Sequence, residues 1–169
     1  MKTKNIVIGG MLTGLAIMIP LILGGTPLMI VIPPGFIATI ASHLPSMLAM
    51  AISPGVAIMV GVGSALGFTL RVSALVGARA LTHAVFGGIG ALAYRKGMPF
   101  WAVLLITAPI HALSEALILL PFLGFHQAFV VTGIGTAIHH LIDSAVTITV
   151  YHSLIHLSIL KKPSLQKRS

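Results

Sequence analysis

The stretch Ser73–Tyr94, SALVGARALTHAVFGGIGALAY, decides the fold class, because it is long enough to cross a bilayer and almost wholly apolar. It nevertheless carries Arg79 and His83, which lie four residues apart and so share one face of a helix. Arg71 closes the apolar run that precedes it. Cationic side chains at membrane depth are costly unless they face a polar cavity or a partner. The stretch therefore predicts a membrane helix with one functional face.

The composition of the whole chain agrees with a membrane location. Of the 169 residues, 57% are hydrophobic and 7% are charged, and the mean hydropathy is +1.09. A soluble domain of this size lacks the core to hide so much apolar surface, whereas lipid accepts it. We predict an all-α, multi-pass protein of the cell membrane that forms a single domain over residues 1–169.

Six apolar runs are separated by glycine- and proline-rich breaks. The predicted spans are 5–23, 36–52, 56–70, 73–94, 100–120 and 128–160. Between the first two, the segment TPLMIVIPPG (26–35) is too short and too rich in proline to cross the membrane. It is predicted to be a semi-extended apolar loop or a re-entrant cap.

The basic residues mark topology and do not form a nucleic-acid surface. The formal net charge is +8, yet most cations stand at the ends of apolar runs. Three groups are found: Lys2 and Lys4; Arg95 and Lys96; and Lys161, Lys162, Lys167 and Arg168. Six spans place all three groups on one side, which the positive-inside bias makes cytoplasmic. Both termini are therefore predicted to be cytoplasmic, with the lipid bilayer and not nucleic acid as the environment.

The chain has only two acids, Glu115 and Asp143, and both fall within predicted spans. His111 and His139 precede them by four residues, so each acid shares a helix face with a histidine. The topology puts these groups in the outer half of the membrane, at a depth similar to that of Arg79. We expect an outward-facing polar pocket. The candidate substrate-binding residues are Arg79, His83, Arg71, His43, His111, Glu115, His139 and Asp143.

Arg79 has two possible roles in such a pocket. It can form a structural ion pair with Glu115, because intramembrane charges often satisfy one another. Alternatively, it can bind an anionic ligand, which a surplus of cations over the two acids favours. The guanidinium fork matches a carboxylate with two parallel hydrogen bonds, so Arg79 is the first candidate for that contact and Arg71 the second.

The eight histidines raise the question of a metal site, since the chain has no cysteine. His111 with Glu115, and His139 with Asp143, have usable ligand spacing. However, no HxxxH pair stands with a carboxylate at matching depth, so hydrogen bonding or ligand contact is favoured, and no metal or cofactor is predicted. A small metal or ion carrier built on these residues remains an alternative. No ATP-binding loop, HExxH motif or nucleophile elbow is present, so we expect no enzyme activity.

The first span presents Gly10 and Gly14 at the spacing that lets membrane helices approach closely. Two further stretches carry a family resemblance: ASHLPSMLAMAISPGVAIMVGVGSALGF (41–68) and RALTHAVFGGIGA (79–91). With the six-span plan, the chain resembles the S components of energy-coupling factor (ECF) vitamin transporters. The similarity is greatest to the niacin-type subgroup, with a pantothenate-type S component as the alternative.

The resemblance implies a substrate-binding subunit that captures a small carboxylate vitamin near the outer face. An arginine would clamp the carboxylate, and His83 or His43 would meet the pyridine nitrogen of niacin. The subunit would dock through Gly10 and Gly14 onto a transmembrane scaffold subunit coupled to two ATPases. The few amide side chains of this sequence favour niacin over the more polar pantothenate.

Overall fold

The structure is a computed structural model that describes residues 3–34 and 36–160. Lys2 and the basic tail 161–169, used above for the topology, lie outside the described residues. The described chain contains seven α-helices: α1 Thr3–Leu23, α2 Leu44–Met50, α3 Pro54–Arg71, α4 Ala74–Ala80, α5 Thr82–Arg95, α6 Phe100–Phe125 and α7 Ile134–His156. Two short strands, β1 Met29–Ile32 and β2 Phe36–Thr39, pair as an antiparallel hairpin, and a π-helical stretch, His126–Gly133, precedes α7.

Four helical segments are long and apolar enough to cross a membrane. They are Thr3–Leu23, Pro54–Arg71, Ala74–Arg95 and Phe100–His156. Large apolar side chains point outward along them, among them Met11 on α1, Leu113 on α6 and Ile138 on α7, all more than half exposed. An apolar exterior with its backbone hydrogen bonds closed inside helices is the arrangement that lipid requires. The chain is thus an all-α membrane protein apart from the hairpin.

The longest of these segments contains two passes, because the chain reverses near Gly124. Gly124 has φ 75° and ψ 172°, in the left-handed half of backbone space that glycine tolerates. Beyond it, Thr136 contacts Glu115 and His140 contacts His111, so α7 runs back along α6. The helical passes are therefore α1, α3, the α4–α5 pair, α6 and α7.

The predicted helix over 36–52 is wrong, and the count of six membrane helices is not reproduced. This segment begins as β2, turns at Ala41 (φ 61°) and becomes helical only in α2. Isoleucine and threonine favour strand geometry, and Pro45 occupies the first turn of α2, where a missing N–H costs nothing. The prediction of a semi-extended segment before it is close, since β1 pairs with β2 from Met29↔Thr39 to Ile32↔Phe36.

The two described ends of the chain meet at one end of the bundle. Lys4 Nζ donates a hydrogen bond of 2.9 Å to the carbonyl oxygen of Ile159. Ala51 and Ile52 line a cavity beside Lys4, so the β2–α2 segment also reaches this end. Whether that end is cytoplasmic stays a prediction.

Close helix packing sets the position of α5. An added Cβ on Gly61 of α3 would overlap the backbone of His83 and Ala84 on α5, so only glycine allows this approach. Ser53 and Ser73 cap α3 and α4, each accepting a hydrogen bond of 3.3 Å from the backbone N–H three residues later. The cationic face of α4 and α5 is thereby held against α3.

Candidate functional site

Seven of the eight predicted substrate-binding residues converge on one buried site, which we call the polar cluster. It consists of His43, Arg79, His83, His111, Glu115, His139 and Asp143. These side chains come from the loop before α2 and from α4, α5, α6 and α7. All are buried except His139, whose side chain is 12% exposed. Arg71 lies elsewhere: its Nη2 donates a 2.5 Å hydrogen bond to the carbonyl oxygen of Gly24, just after α1.

Arg79 and Glu115 form the ion pair that the sequence left as one of two possibilities. Arg79 Nη2 lies 2.7 Å from Glu115 Oε2, and the hydroxyl of Thr136 donates to the same oxygen at 2.6 Å. The other carboxylate oxygen of Glu115 lies 3.5 Å from His111 Nε2, one helical turn earlier. Glu115 thus joins α4, α6 and α7 at one point.

Asp143 forms a second anchor, between α7 and the turn that enters α2. Its Oδ1 accepts the backbone N–H of Ala41 at 2.9 Å, and its Oδ2 accepts that of His43 at 3.1 Å. His43 Nδ1 also lies 3.0 Å from Oδ2, although off the direction of a good hydrogen bond, so we treat this contact as electrostatic. His139 Nε2 is 3.4 Å from Oδ2 and 3.2 Å from the carbonyl oxygen of Thr39. Asp143 therefore positions His43.

His43 stands at the centre of a group of imidazole rings. Its ring centroid lies 4.8 Å from that of His83, 4.6 Å from His111 and 4.5 Å from His139. His83 Nδ1 bonds the hydroxyl of Ser64 on α3 at 2.8 Å. His111 Nδ1 lies 3.2 Å from Nδ1 of His140, whose Nε2 faces the carbonyl oxygen of Leu104 at 3.1 Å. Most rings are thus oriented by a neighbour outside the group.

A small cavity touches the polar cluster. Its volume is about 20 Å³, which holds a water molecule but no larger guest. The polar and charged residues that line it are Ser42, His43, Arg79, His83, Glu115, Thr136 and His139, and Phe68 and Ile37 are among its apolar walls. Arg79 and His83 both face it, as their spacing predicts.

The charges of the polar cluster do not show the predicted positive surplus. Arg71 is outside it, so one guanidinium, Arg79, faces two carboxylates, Glu115 and Asp143. With neutral histidines the cluster carries one net negative charge. A bound carboxylate therefore needs additional positive charge, from a protonated histidine or from a metal ion.

Two groups of potential metal ligands occur in the described residues. They are His43, His83 and His111, and His43, His139 and Asp143, with the ligand atoms of each group within 4.8 Å of one another. The sequence argument against a metal site rested on the lack of an HxxxH pair with a carboxylate at matching depth. The structure instead brings the potential ligands together from the loop before α2 and from α5, α6 and α7.

Sequence reasoning missed Ser64 and Thr136 as members of this environment, whereas it placed His140 at the same depth as His139 and Asp143. Ser64 is buried within the glycine-rich part of α3, where no charge or histidine draws attention to it. Thr136 and His140 belong to a buried polar stripe on α7, with Asp143, Ser144 and Thr147 following at helical spacing. That periodicity was readable in the sequence and could have indicated the side of α7 that faces the cluster.

The chain is similar to one curated transporter. It is 35% identical over 96 residues to the niacin transporter NiaX of Lactococcus lactis subsp. cremoris. The match covers 56% of this chain and 41% of that protein, so the chain spans less than half of the relative. No protein-family profile and no solved structure matches the chain. Together with the apolar helices, this similarity identifies a multi-pass protein of the cell membrane.

Proposed function

We propose that the chain is the membrane substrate-binding subunit of an ATP-driven ECF importer, and that it captures a small anionic vitamin, niacin foremost. The similarity to a niacin transporter carries this proposal. The polar cluster supports it, because an arginine and several histidines at one end of a lipid-facing bundle suit a planar carboxylate with a ring nitrogen. The role is transport, with no catalysis of its own.

Arg79 is the proposed carboxylate clamp, and His83 or His43 the proposed partner of the pyridine nitrogen. All three line the cavity. Since Arg79 is paired with Glu115, ligand binding requires the guanidinium to share its donors between the carboxylates or to exchange one for the other. Arg71 is the weaker candidate because its guanidinium is engaged at Gly24.

The cavity must enlarge to admit a vitamin, since a pyridine carboxylate is several times larger than a water molecule. We propose that the β1–β2 hairpin moves, because Ile37 of β2 lines the cavity; this movement requires the buried residues Phe36, Ala38 and Thr39 to leave the bundle. On the sheet, β1 is half exposed along its length. We propose that displacement of the hairpin opens the site.

The proposed docking face for the scaffold subunit is the exposed side of α1. An added Cβ on Gly10 or Gly14 would meet no atom of the described chain within 4 Å, whereas Gly9 on the inner side packs on Val56 and Met59. A scaffold helix can approach closely at such a face. Gly10→Leu or Gly14→Leu should impair uptake in cells that supply the scaffold and the ATPases, and should leave vitamin binding intact.

Isothermal titration of the purified chain with nicotinate, nicotinamide and pantothenate tests the substrate. We expect nicotinate to bind most tightly, because nicotinamide lacks the charge and the cluster offers few amide partners for pantothenate. Tighter binding of pantothenate would reassign the vitamin, and no binding below the millimolar range by any of the three would refute the proposal.

Arg79→Ala tests the clamp. It should abolish nicotinate binding while the protein remains extractable and monodisperse, and Arg71→Ala measured in parallel decides the second candidate. His152→Ala is the matched control, since His152 is exposed on α7 far along the helix from the cluster. Because Arg79 is paired with Glu115, the Arg79→Gln/Glu115→Gln double variant, which removes both buried charges, tests the clamp if Arg79→Ala does not fold, and nicotinate binding by that double variant would refute the clamp.

A further inference from the structure

We propose that His43, His83 and His111 form a binding site for a divalent transition-metal ion of the Zn²⁺ class. One nitrogen of each ring lies within 4.8 Å of the others, and all three side chains are buried. Ligand nitrogens around a tetrahedral zinc stand about 3.3 Å apart, given Zn–N bonds of about 2.0–2.1 Å. Small rotations of the three rings therefore close the site around an ion.

A buried polar atom of the site supports this proposal. His111 Nε2 is a buried nitrogen that makes no hydrogen bond of good geometry within the described residues, and its nearest carboxylate oxygen, Glu115 Oε1, lies 3.5 Å away. A buried polar atom without a partner is destabilising by about 1–3 kcal/mol. A metal ion bound by these rings supplies the partner that this buried nitrogen lacks.

The surroundings of the three rings match the outer sphere of a metal site. Metal-binding histidines usually engage their other ring nitrogen with a neighbour that fixes the ring and its tautomer. Here Asp143 stands beside His43, the Ser64 hydroxyl bonds His83, and His140 contacts His111. Each ring thus has an orienting partner on another element: α7 for His43 and His111, and α3 for His83.

The second group, His43, His139 and Asp143, is the poorer choice. Asp143 already accepts the backbone N–H groups of Ala41 and His43, and His139 Nε2 faces a carbonyl oxygen. Both are therefore occupied in holding the turn before α2. Their place is beside the metal site and not within it.

The donor set decides the class of ion. Neutral imidazoles suit zinc, nickel, cobalt or copper, whereas calcium and magnesium require mostly oxygen ligands. Glu115 lies beside the site, with its Oε1 3.5 Å from His111 Nε2, and can serve as a fourth ligand or leave that position open. Because His43, His83 and Glu115 also line the cavity, an open position faces it, and in the metal-loaded protein that position, in place of a histidine ring, would take the pyridine nitrogen of the vitamin.

A divalent ion also reverses the sign of the net charge of the polar cluster. It turns one net negative charge into one net positive charge, which complements a monoanion. The metal site itself is independent of the proposed function, but this role in attracting a carboxylate rests on it.

Metal binding to the full-length protein in detergent tests the proposal. After a chelator has removed adventitious metal and the protein has been reloaded with Zn²⁺ and dialysed, we expect it to retain one Zn²⁺ per chain, and Co²⁺ to give the visible absorption of a tetrahedral nitrogen-rich site. His83→Ala and His111→Ala should lose the ion. His152→Ala/His156→Ala is the matched control, because this exposed pair at i and i+4 on α7 is where adventitious metal would bind, and it should retain the ion.

Ser64→Ala keeps the test informative if a histidine variant fails to fold. It deletes one hydroxyl next to His83, and loss of such a partner lowers metal affinity about 10–100-fold. Absence of stoichiometric Zn²⁺ binding, or equal affinity in the folded Ser64→Ala, His83→Ala and unmodified proteins, would overturn the metal site.

Nicotinate titration with and without Zn²⁺ separates the two proposals. We expect nicotinate to bind more tightly to the zinc-loaded protein. Zinc binding without any nicotinate binding would remove the vitamin and leave the metal site standing. Nicotinate binding in a protein that takes up no zinc would remove the metal site and leave the vitamin.

Discussion

The two halves of the bundle are built from the same helices, but they are held together by different forces. In the half with the polar cluster, α5, α6 and α7 meet through charged and imidazole groups, each needing a partner. In the half near Lys4 and Ile159 they meet through aromatic packing: Phe100 stacks on Tyr151 at 4.2 Å, and the Tyr94 and Tyr151 hydroxyls share one hydrogen bond of 2.7 Å.

The difference shows that the polar groups of the bundle are concentrated in one half. Lipid is as apolar as a protein core, so aromatic packing alone is sufficient to join helices and makes no demand for charge. Charge at membrane depth is unfavourable, and its concentration in one half of the bundle is the reason for proposing a binding site there. Substitutions in the two halves should therefore affect both stability and binding in the cluster half, but stability alone in the aromatic half.

The largest effect is expected from Glu115→Gln. Glu115 accepts from Arg79 and Thr136, and removing one partner of a buried ion pair is destabilising by about 3–5 kcal/mol. The free energy of unfolding in detergent measures this loss, and ligand binding should fail as well. Adding Arg79→Gln removes the second charge and should restore part of the stability, whereas additive losses would contradict the ion pair.

Phe100→Ala should have the next largest effect, in the aromatic half. The lost ring leaves a cavity beside Tyr151. Because lipid is as apolar as the core, only the cavity term counts, and a cavity of about 80 Å³ at roughly 24 cal/mol per Å³ lowers the free energy of unfolding by about 2 kcal/mol. Nicotinate and zinc affinities should not change. Trp101→Ala is the matched control, because Trp101 is 58% exposed to lipid and contributes little to packing. Loss of binding in Phe100→Ala would show that the two halves are coupled.

Two glycine substitutions compare the inside of the bundle with its outer surface. Gly61→Ala places a methyl group against the backbone of α5 next to His83, and overpacking of this kind is destabilising by about 1–3 kcal/mol. Gly10→Ala meets nothing within 4 Å and should leave the unfolding free energy unchanged or slightly higher. Equal destabilisation by both would contradict the packing of α3 against α5.

The smallest effect is expected from Tyr94→Phe, which removes one side of the hydroxyl pair. Deleting a single hydrogen bond lowers the unfolding free energy by about 0.5–1.5 kcal/mol. Tyr151→Phe should have the same effect, and the double variant little more than either, since the two hydroxyls share one bond. A double variant with a summed loss would indicate separate partners.

The predicted site was largely recognisable because charge in an apolar chain is conspicuous. Arg79 with His83, His111 with Glu115, and His139 with Asp143 each share a helix face at i and i+4, and the structure brings these pairs together. The same spacing rule did not show that Arg71 lies outside the cluster. Its partner is the backbone carbonyl oxygen of Gly24, and a backbone partner cannot be recognised from the side chains in the sequence.

The prediction of a helix over 36–52 was wrong for a related reason. An apolar run of that length is consistent with either a helix or a strand followed by a short helix, and hydropathy does not distinguish them. Two tertiary contacts favour the strand followed by a short helix. β2 pairs with β1, and Asp143 on α7 accepts hydrogen bonds from the backbone of Ala41 and His43.

The sequence by itself determined a lipid-embedded helical chain with a few polar faces, because composition, span length and i, i+4 spacing are local properties. Only the tertiary structure decided that three histidines from a loop, α5 and α6 meet within 4.8 Å, and that the cluster holds two carboxylates but one guanidinium. Both depend on how far separated segments pack, through close approaches such as that at Gly61 and the reversal at Gly124, and no local pattern records those distances.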